Sequence, residues 1–181
     1  MGEKKVVVDK LQLTYDGLFN VHELLALIRD WFAEHGYDRL ERGLLEKVTR
    51  TGKYFELELN FTKDFTDYVK SEISVFVTVR NLKDVVVTKD DLKVNMHQGT
   101  LEIEFYGFLV TDYSGKWEMN PVYFFLKTIY EKFLYSPVLD RYEKMVVEDV
   151  NRANKHIKSY LNLYTYGKPL EDSTGMLTHL T

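Results

Sequence analysis

Residues 54–61 read Tyr-Phe-Glu-Leu-Glu-Leu-Asn-Phe. Phe55, Leu57, Leu59 and Phe61 fall on one parity, and Tyr54, Glu56, Glu58 and Asn60 on the other. Side chains of a strand point alternately to its two faces, so strict period-two alternation marks a strand with one buried and one wet face. Such a strand needs partners, and the flanking sequence supplies them. Residues 43–50 lead into it through Thr51-Gly52. After the polar loop Lys63-Asp64-Phe65-Thr66-Asp67, Ile73, Val75, Val77 and Val79 alternate inward. Val85-Val86-Val87 predicts a short strand. Leu92, Val94 and Met96 alternate again, and Gln98-Gly99 predicts a hairpin turn. Leu101, Ile103, Phe105 and Leu109 continue the core face against Glu102, Glu104 and Tyr106. Consecutive strands joined by short turns pair antiparallel.

Ahead of this block, residues 4–14 predict another strand. Val6 and Val8 sit on one parity and Leu11 and Leu13 on the other, which calls for a bulge. A helix follows. Asn20 is placed as its N-cap, Glu23 as the capping-box acid and Phe19 as a staple onto Leu24. Leu24, Leu25, Leu27, Ile28, Trp31 and Phe32 form its apolar stripe, and Gly36 its stop.

The last third is helical. Asn120-Pro121 starts one helix, with Val122, Phe125, Leu126, Ile129 and Phe133 as its stripe, and Ser136-Pro137 restarts the chain. From Val138 to about Tyr164 no breaker intervenes, and Tyr142, Val146, Val150, Ala153, Ile157, Tyr160 and Tyr164 recur every three or four residues. The expected architecture is α+β: an antiparallel sheet of about six strands packed against one N-terminal helix and long C-terminal helices. Residues 1–166 form a single domain in which 137–166 is a long amphipathic helix, and 167–181 read as a flexible tail.

The composition fits that picture. Of 181 residues, 45% are apolar and 29% charged, close to the globular average. Thirteen Tyr and 11 Phe suit a sheet-rich core. The absence of cysteine removes disulfides, thiolate metal sites and cysteine nucleophiles together. Met1 to Lys5 is charged and only Val6-Val7-Val8 follows, so no signal peptide is expected and the cytoplasm is the default location. The Asn60-Phe61-Thr62 sequon reads as strand. Two glutamines against many Lys and Glu tilt toward a heat-adapted source.

Catalytic signatures are sparse. The glycines reach no phosphate-binding spacing. His22, His35, His97, His156 and His179 share no metal-ligand spacing, so no metal or other cofactor is expected. No serine sits in a nucleophile-elbow motif. Glu56 with Glu58, and Glu102 with Glu104, would cluster and raise one another's pKa if their strands were neighbours. The plainer reading is a solvated face balanced by Lys70 and Arg80. The chain is expected not to be an enzyme.

Binding signals concentrate in the long C-terminal helix. A net charge of −4 excludes general nucleic-acid binding by the whole molecule. Yet from Asn151 to Leu170 there is no acid, while Arg152, Lys155, Lys158 and Lys168 are basic. Together with Tyr160 and Tyr164 they are the candidate RNA- or partner-binding residues, because cations reach phosphates and rings stack on unpaired bases. The stripe Tyr142, Val146, Val150, Ala153 and Ile157 packs either on the chain's own sheet or against a second copy, the seam of a homodimer.

The order of one strand, one helix, a run of antiparallel strands and a long last helix resembles the helix-grip architecture of the START and polyketide-cyclase-like families. That resemblance implies an apolar cavity for a carried small molecule, lined by Phe55, Leu57, Phe76, Phe105, Phe108, Trp117 and Phe125, or a cyclase-type enzyme with a polar pair inside it. The stretch from Ser136-Pro137-Val138-Leu139-Asp140-Arg141-Tyr142 through Tyr166, with the Val6–Val8 strand, resembles archaeal ribosome-dimerisation and hibernation factors. That likeness implies a cytoplasmic homodimer that docks on a ribosomal subunit, meets rRNA and basic ribosomal proteins, and regulates translation by keeping particles idle. No membrane partner is expected.

Overall fold

A computed structural model describes residues 3–49, 52–89, 92–111 and 136–165. The elements run β1 (Glu3–Phe19), α1 (Val21–Glu34), β2 (Asp38–Thr49), β3 (Gly52–Asp64), β4 (Val69–Lys89), β5 (Leu92–Thr111) and α2 (Ser136–Thr165). The strands make one antiparallel sheet in the order β1-β5-β4-β3-β2. The chain begins at one edge, crosses by α1 to the other, and meanders back until β5 lies beside β1.

The fold is α+β, with five strands among the described residues where about six were expected. Val85–Val87 continue β4, and Gln98-Gly99 is no turn but lies inside β5. The pairing of β4 with β5 slips between Arg80 and Lys83, where Asn81 takes the left-handed backbone at φ 56°. A Cβ on Gly99 would stand 2.9 Å from the Arg80 carbonyl oxygen. The glycine therefore accommodates a bulge on the neighbouring strand rather than a reversal. In β1 the expected bulge is present: register shifts between Val6 and Leu11, and Lys10 has φ 56°.

Helix α1 begins as its sequence dictates. Asn20 Oδ1 accepts from the backbone N–H groups of His22 (3.0 Å) and Glu23 (3.4 Å), and the Glu23 carboxylate reaches back to Asn20 Nδ2. Gly36 follows the helix at φ 77°. Val21, Leu24, Leu25, Ile28, Trp31 and Phe32 are buried. The sheet's core face carries Leu57, Leu59 and Phe61, then Ile73, Val75, Val77 and Val79, then Leu101, Ile103, Phe105 and Leu109, all buried on the expected parity. Phe32 stacks on Phe61 with centroids 4.0 Å apart.

Helix α2 closes this core. Val146, Val150, Ala153, Ile157 and Leu161 are each at most 2% exposed. A Cβ on Gly107 would come within 3.1 Å of Val146 and Val8, so this glycine lets α2 settle close to the sheet. Tyr142 is half-buried and stacks on Phe65 at 4.8 Å. The seam proposed for a second copy is thereby corrected. Val146, Val150, Ala153 and Ile157 are enclosed by their own chain, because β1, β5 and α1 all contact α2. The helix expected at 121–135 and the tail at 167–181 lie outside the described residues.

Candidate functional site

Packing one face of α2 into the core turns the opposite face outward. Arg152, Lys155, His156 and Lys158 are exposed there. Arg152 shares an exposed i,i+4 ion pair with Glu148 (3.1 Å), and pairs of that kind contribute only a few tenths of a kcal/mol, so the guanidinium exchanges partners readily. Tyr160 is placed differently from the expectation. Its hydroxyl bridges to Glu23 Oε2 (3.1 Å) and the Asn20 carbonyl oxygen (3.3 Å), tying α2 to the start of α1. It is committed to the fold rather than offered as a free stacking platform. Lys168 and the side chain of Tyr164 lie outside what the structure describes.

The far face of the sheet carries the carboxylates. Glu56 and Glu58 are on β3, Glu102 and Glu104 on β5, and β4 runs between them. Thr78 separates Glu56 from Glu102, and Phe76 separates Glu58 from Glu104. The four acids do not cluster, since two strand spacings hold the pairs about 9–10 Å apart. Glu102 is paired with Arg80 (3.0 Å), and Glu104 with Lys10 (2.7 Å). The hydrogen bond from Lys10 holds the Glu104 carboxyl below its usual value, opposite to the rise that crowding would cause. Lys70 pairs with Glu72 (2.8 Å). An open groove of about 620 Å³ runs along this face. The side chains assigned to an enclosed apolar cavity divide between the two faces: Leu57 and Phe105 are in the core, while Phe76 and Phe108 line the outer groove. Trp117 and Phe125 lie outside the described residues.

Two polar clusters escaped the sequence reading. The Tyr37 hydroxyl donates to Asp149 Oδ2 at 2.9 Å inside the core, beside Ser71. Burial, with the Asp149 carboxylate adding to it, pushes the Tyr37 phenol far above its usual value and keeps it a donor. Asp149 sits three residues after Val146 on the buried stripe, which is the one signal in the sequence that it faces inward. The second cluster joins His22 and His97, whose ring centroids are 6.0 Å apart, with Asp84 Oδ1 3.6 Å from His97 Nε2. His97 Nδ1 accepts the Val21 backbone N–H (3.4 Å) in the first turn of α1.

That acceptor role needs an unprotonated Nδ1, and a positive ring there would face the positive end of the helix. Burial lowers the His97 pKa from 6.5, and the nearby His22 lowers it further against the pull of Asp84. A histidine whose folded pKa is depressed stabilises the fold fully above 6.5, and that contribution is lost as pH falls through the lowered value. Unfolding free energy is therefore expected to decline between about pH 7.5 and about pH 5, and less steeply in a His97→Asn variant. NMR titration of the His97 ring and urea unfolding across that range check both parts.

No family model matches this chain, and no curated protein matches it. Among the described residues no helix is long and apolar enough to cross a membrane.

Proposed function

We propose that this is a non-enzymatic binding and assembly protein that docks on a larger ribonucleoprotein, such as a ribosomal subunit, in a dimerisation or anti-association role. The observation that carries this reading is the ridge Arg152, Lys155 and Lys158. It stands exposed on a helix whose opposite face is anchored in the core, in a chain of net charge −4. An acidic body is repelled by RNA except where such a ridge meets it, so charge alone orients the approach. The buried stripe of α2 leaves any pairing of two copies to other surfaces, such as the β4–β5 arm where Val86 is 63% exposed.

The alternative, a carrier of an apolar small molecule, draws on the helix-grip order of elements. Phe19, Phe61, Phe105 and Ile157 have 2% exposure or less, so side chains fill the space between sheet and helix at those positions. A cyclase-type enzyme would need a polar pair facing a substrate, whereas Tyr37 and Asp149 serve each other. Both observations favour docking.

Each phosphate neutralised by a cation adds roughly −0.7 to −0.9 to the slope of log K against log salt. Replacing Arg152, Lys155 and Lys158 together by Ser is expected to flatten that slope by about 2 and to weaken binding about tenfold or more at moderate salt. Fluorescence anisotropy of labelled protein titrated with purified small subunits measures both. An unchanged slope in the triple variant overturns the assignment of this ridge.

A further inference from the structure

Helix α2 carries one pattern of charge twice. Arg141 and Lys144 stand three residues apart, and Arg152 and Lys155 repeat that spacing eleven residues on. Eleven residues make close to three helical turns, so the second pair sits above the first on the same side of α2, about 17 Å further along its axis. All four side chains are exposed. Of these cations only Arg152 has an ion-pair partner among the described residues, and that partner is Glu148. Glu148 is the midpoint of the pattern, seven residues after Arg141 and seven before Lys155, and exposed Asn151 stands beside it. The other acids of this stretch turn aside. Glu143 accepts from Lys5 Nζ at 2.6 Å and, with Asp140 and Val7, lines a groove between α2 and β1, while Asp149 is buried against Tyr37.

Such spacing discriminates between nucleic-acid shapes. A single strand laid along α2 would carry a phosphate past the Glu148 carboxylate, where like charges repel. In a duplex the two backbones are held apart, and the groove between them holds no phosphate. Each cation pair then neutralises one backbone, while Glu148 and Asn151 face the groove. The wide, shallow minor groove of A-form RNA displays 2′-hydroxyls, which donate to a carboxylate or amide oxygen and accept from an amide N–H. DNA lacks that hydroxyl, and the major groove of its B form is about 8.5 Å deep. A helix whose inner face is packed on β1, β5 and α1 lies across a shallow groove but does not sink into a deep one.

Taking the α2 ridge as the RNA-facing surface proposed above, we infer that it binds double-stranded RNA across the minor groove. Arg141 and Lys144 meet the phosphates of one strand, and Arg152 and Lys155 those of the other. Lys158, three residues further on, adds to the second contact. The ridge is thereby extended by two residues toward the start of the helix, and its ligand is named as an RNA duplex rather than an unpaired strand.

The test is fluorescence anisotropy of the full chain with a labelled RNA duplex of about 16 base pairs, one of its strands alone, and a DNA duplex of the same sequence. The RNA duplex is expected to bind at least about tenfold more tightly than either of the others. Arg141→Ser/Lys144→Ser and Arg152→Ser/Lys155→Ser are each expected to weaken duplex binding about tenfold and to flatten the slope of log K against log salt by about 2. Thermal midpoints close to wild type would show that the variants remain folded. Lys144→Ser alone, with a slope change of about 1, serves should the first double variant fail to fold. Equal affinity for the single strand or the DNA duplex overturns the inference, as does wild-type affinity and slope in Arg141→Ser/Lys144→Ser. The two readings of the ridge fail separately. Binding to small subunits without binding to the RNA duplex overturns this inference and leaves docking in place, whereas duplex binding without subunit binding supports it and overturns docking.

Discussion

Replacing Ile157 by Ala is expected to lower the unfolding free energy by about 2–5 kcal/mol, the range for deleting several buried methyl groups from a packed core. Ile157 is among the largest fully enclosed side chains of the protein, on the central turn of the α2 stripe. Its neighbours Ala153 and Leu161 lie in the same cluster, held against β1, β5 and α1, so little can move to fill the space left behind. The same variant separates the two readings of this stripe. With the stripe packed inside one chain, Ile157→Ala leaves any self-association of the folded protein, read by sedimentation equilibrium, unchanged. Self-association that weakens in the variant would return Ile157 to an interface between copies.

The second large effect is expected at Tyr37. Tyr37→Phe removes the donor that Asp149 Oδ2 accepts at 2.9 Å and leaves a buried acid without it. Losing one partner of a buried charged hydrogen bond costs about 2–3 kcal/mol, more than the bond contributes net, since the stranded group keeps its desolvation penalty. Removing both partners is the diagnostic step. In Tyr37→Phe/Asp149→Leu no polar atom of the pair remains to be satisfied, so part of the loss is expected to return. Urea unfolding of the two single variants and the double variant measures the coupling. Simple additivity would mean that the contact between Tyr37 and Asp149 contributes nothing to the fold.

What the sequence disclosed, and what it withheld, divides along physical lines. Alternation over 54–61 and 73–79 placed each side chain on its correct face, since period two holds wherever one face of a strand is buried. The Asn20 cap and the α1 stripe were legible for the same local reason. Gln98-Gly99 misled because a glycine that yields to a neighbour's bulge looks the same in one dimension as a glycine that turns. Nothing within residues 92–111 announces that Arg80 and Asn81, on another strand, require it. The stripe of α2 was visible, but a buried stripe says nothing of whose surface buries it. Its partners, Gly107 and Val8, lie far away in the chain. Tyr160 read as a free aromatic between cations because its bonds to Asn20 and Glu23 cross most of the sequence. The separation of Glu58 from Glu104 by Phe76 likewise depends on strand register, which alternation alone does not set.

The exposed ridge of Arg152, Lys155 and Lys158 gives the functional account its most direct test. Lysate of the source organism, from growing and stationary cells, is sedimented through a sucrose gradient at low and high salt, and every fraction is probed for this protein. The account predicts migration with small ribosomal subunits or their dimers at low salt, lost at high salt and lost when the three residues are replaced by Ser. A protein that stays at the top of the gradient in both growth states and at low salt would contradict it.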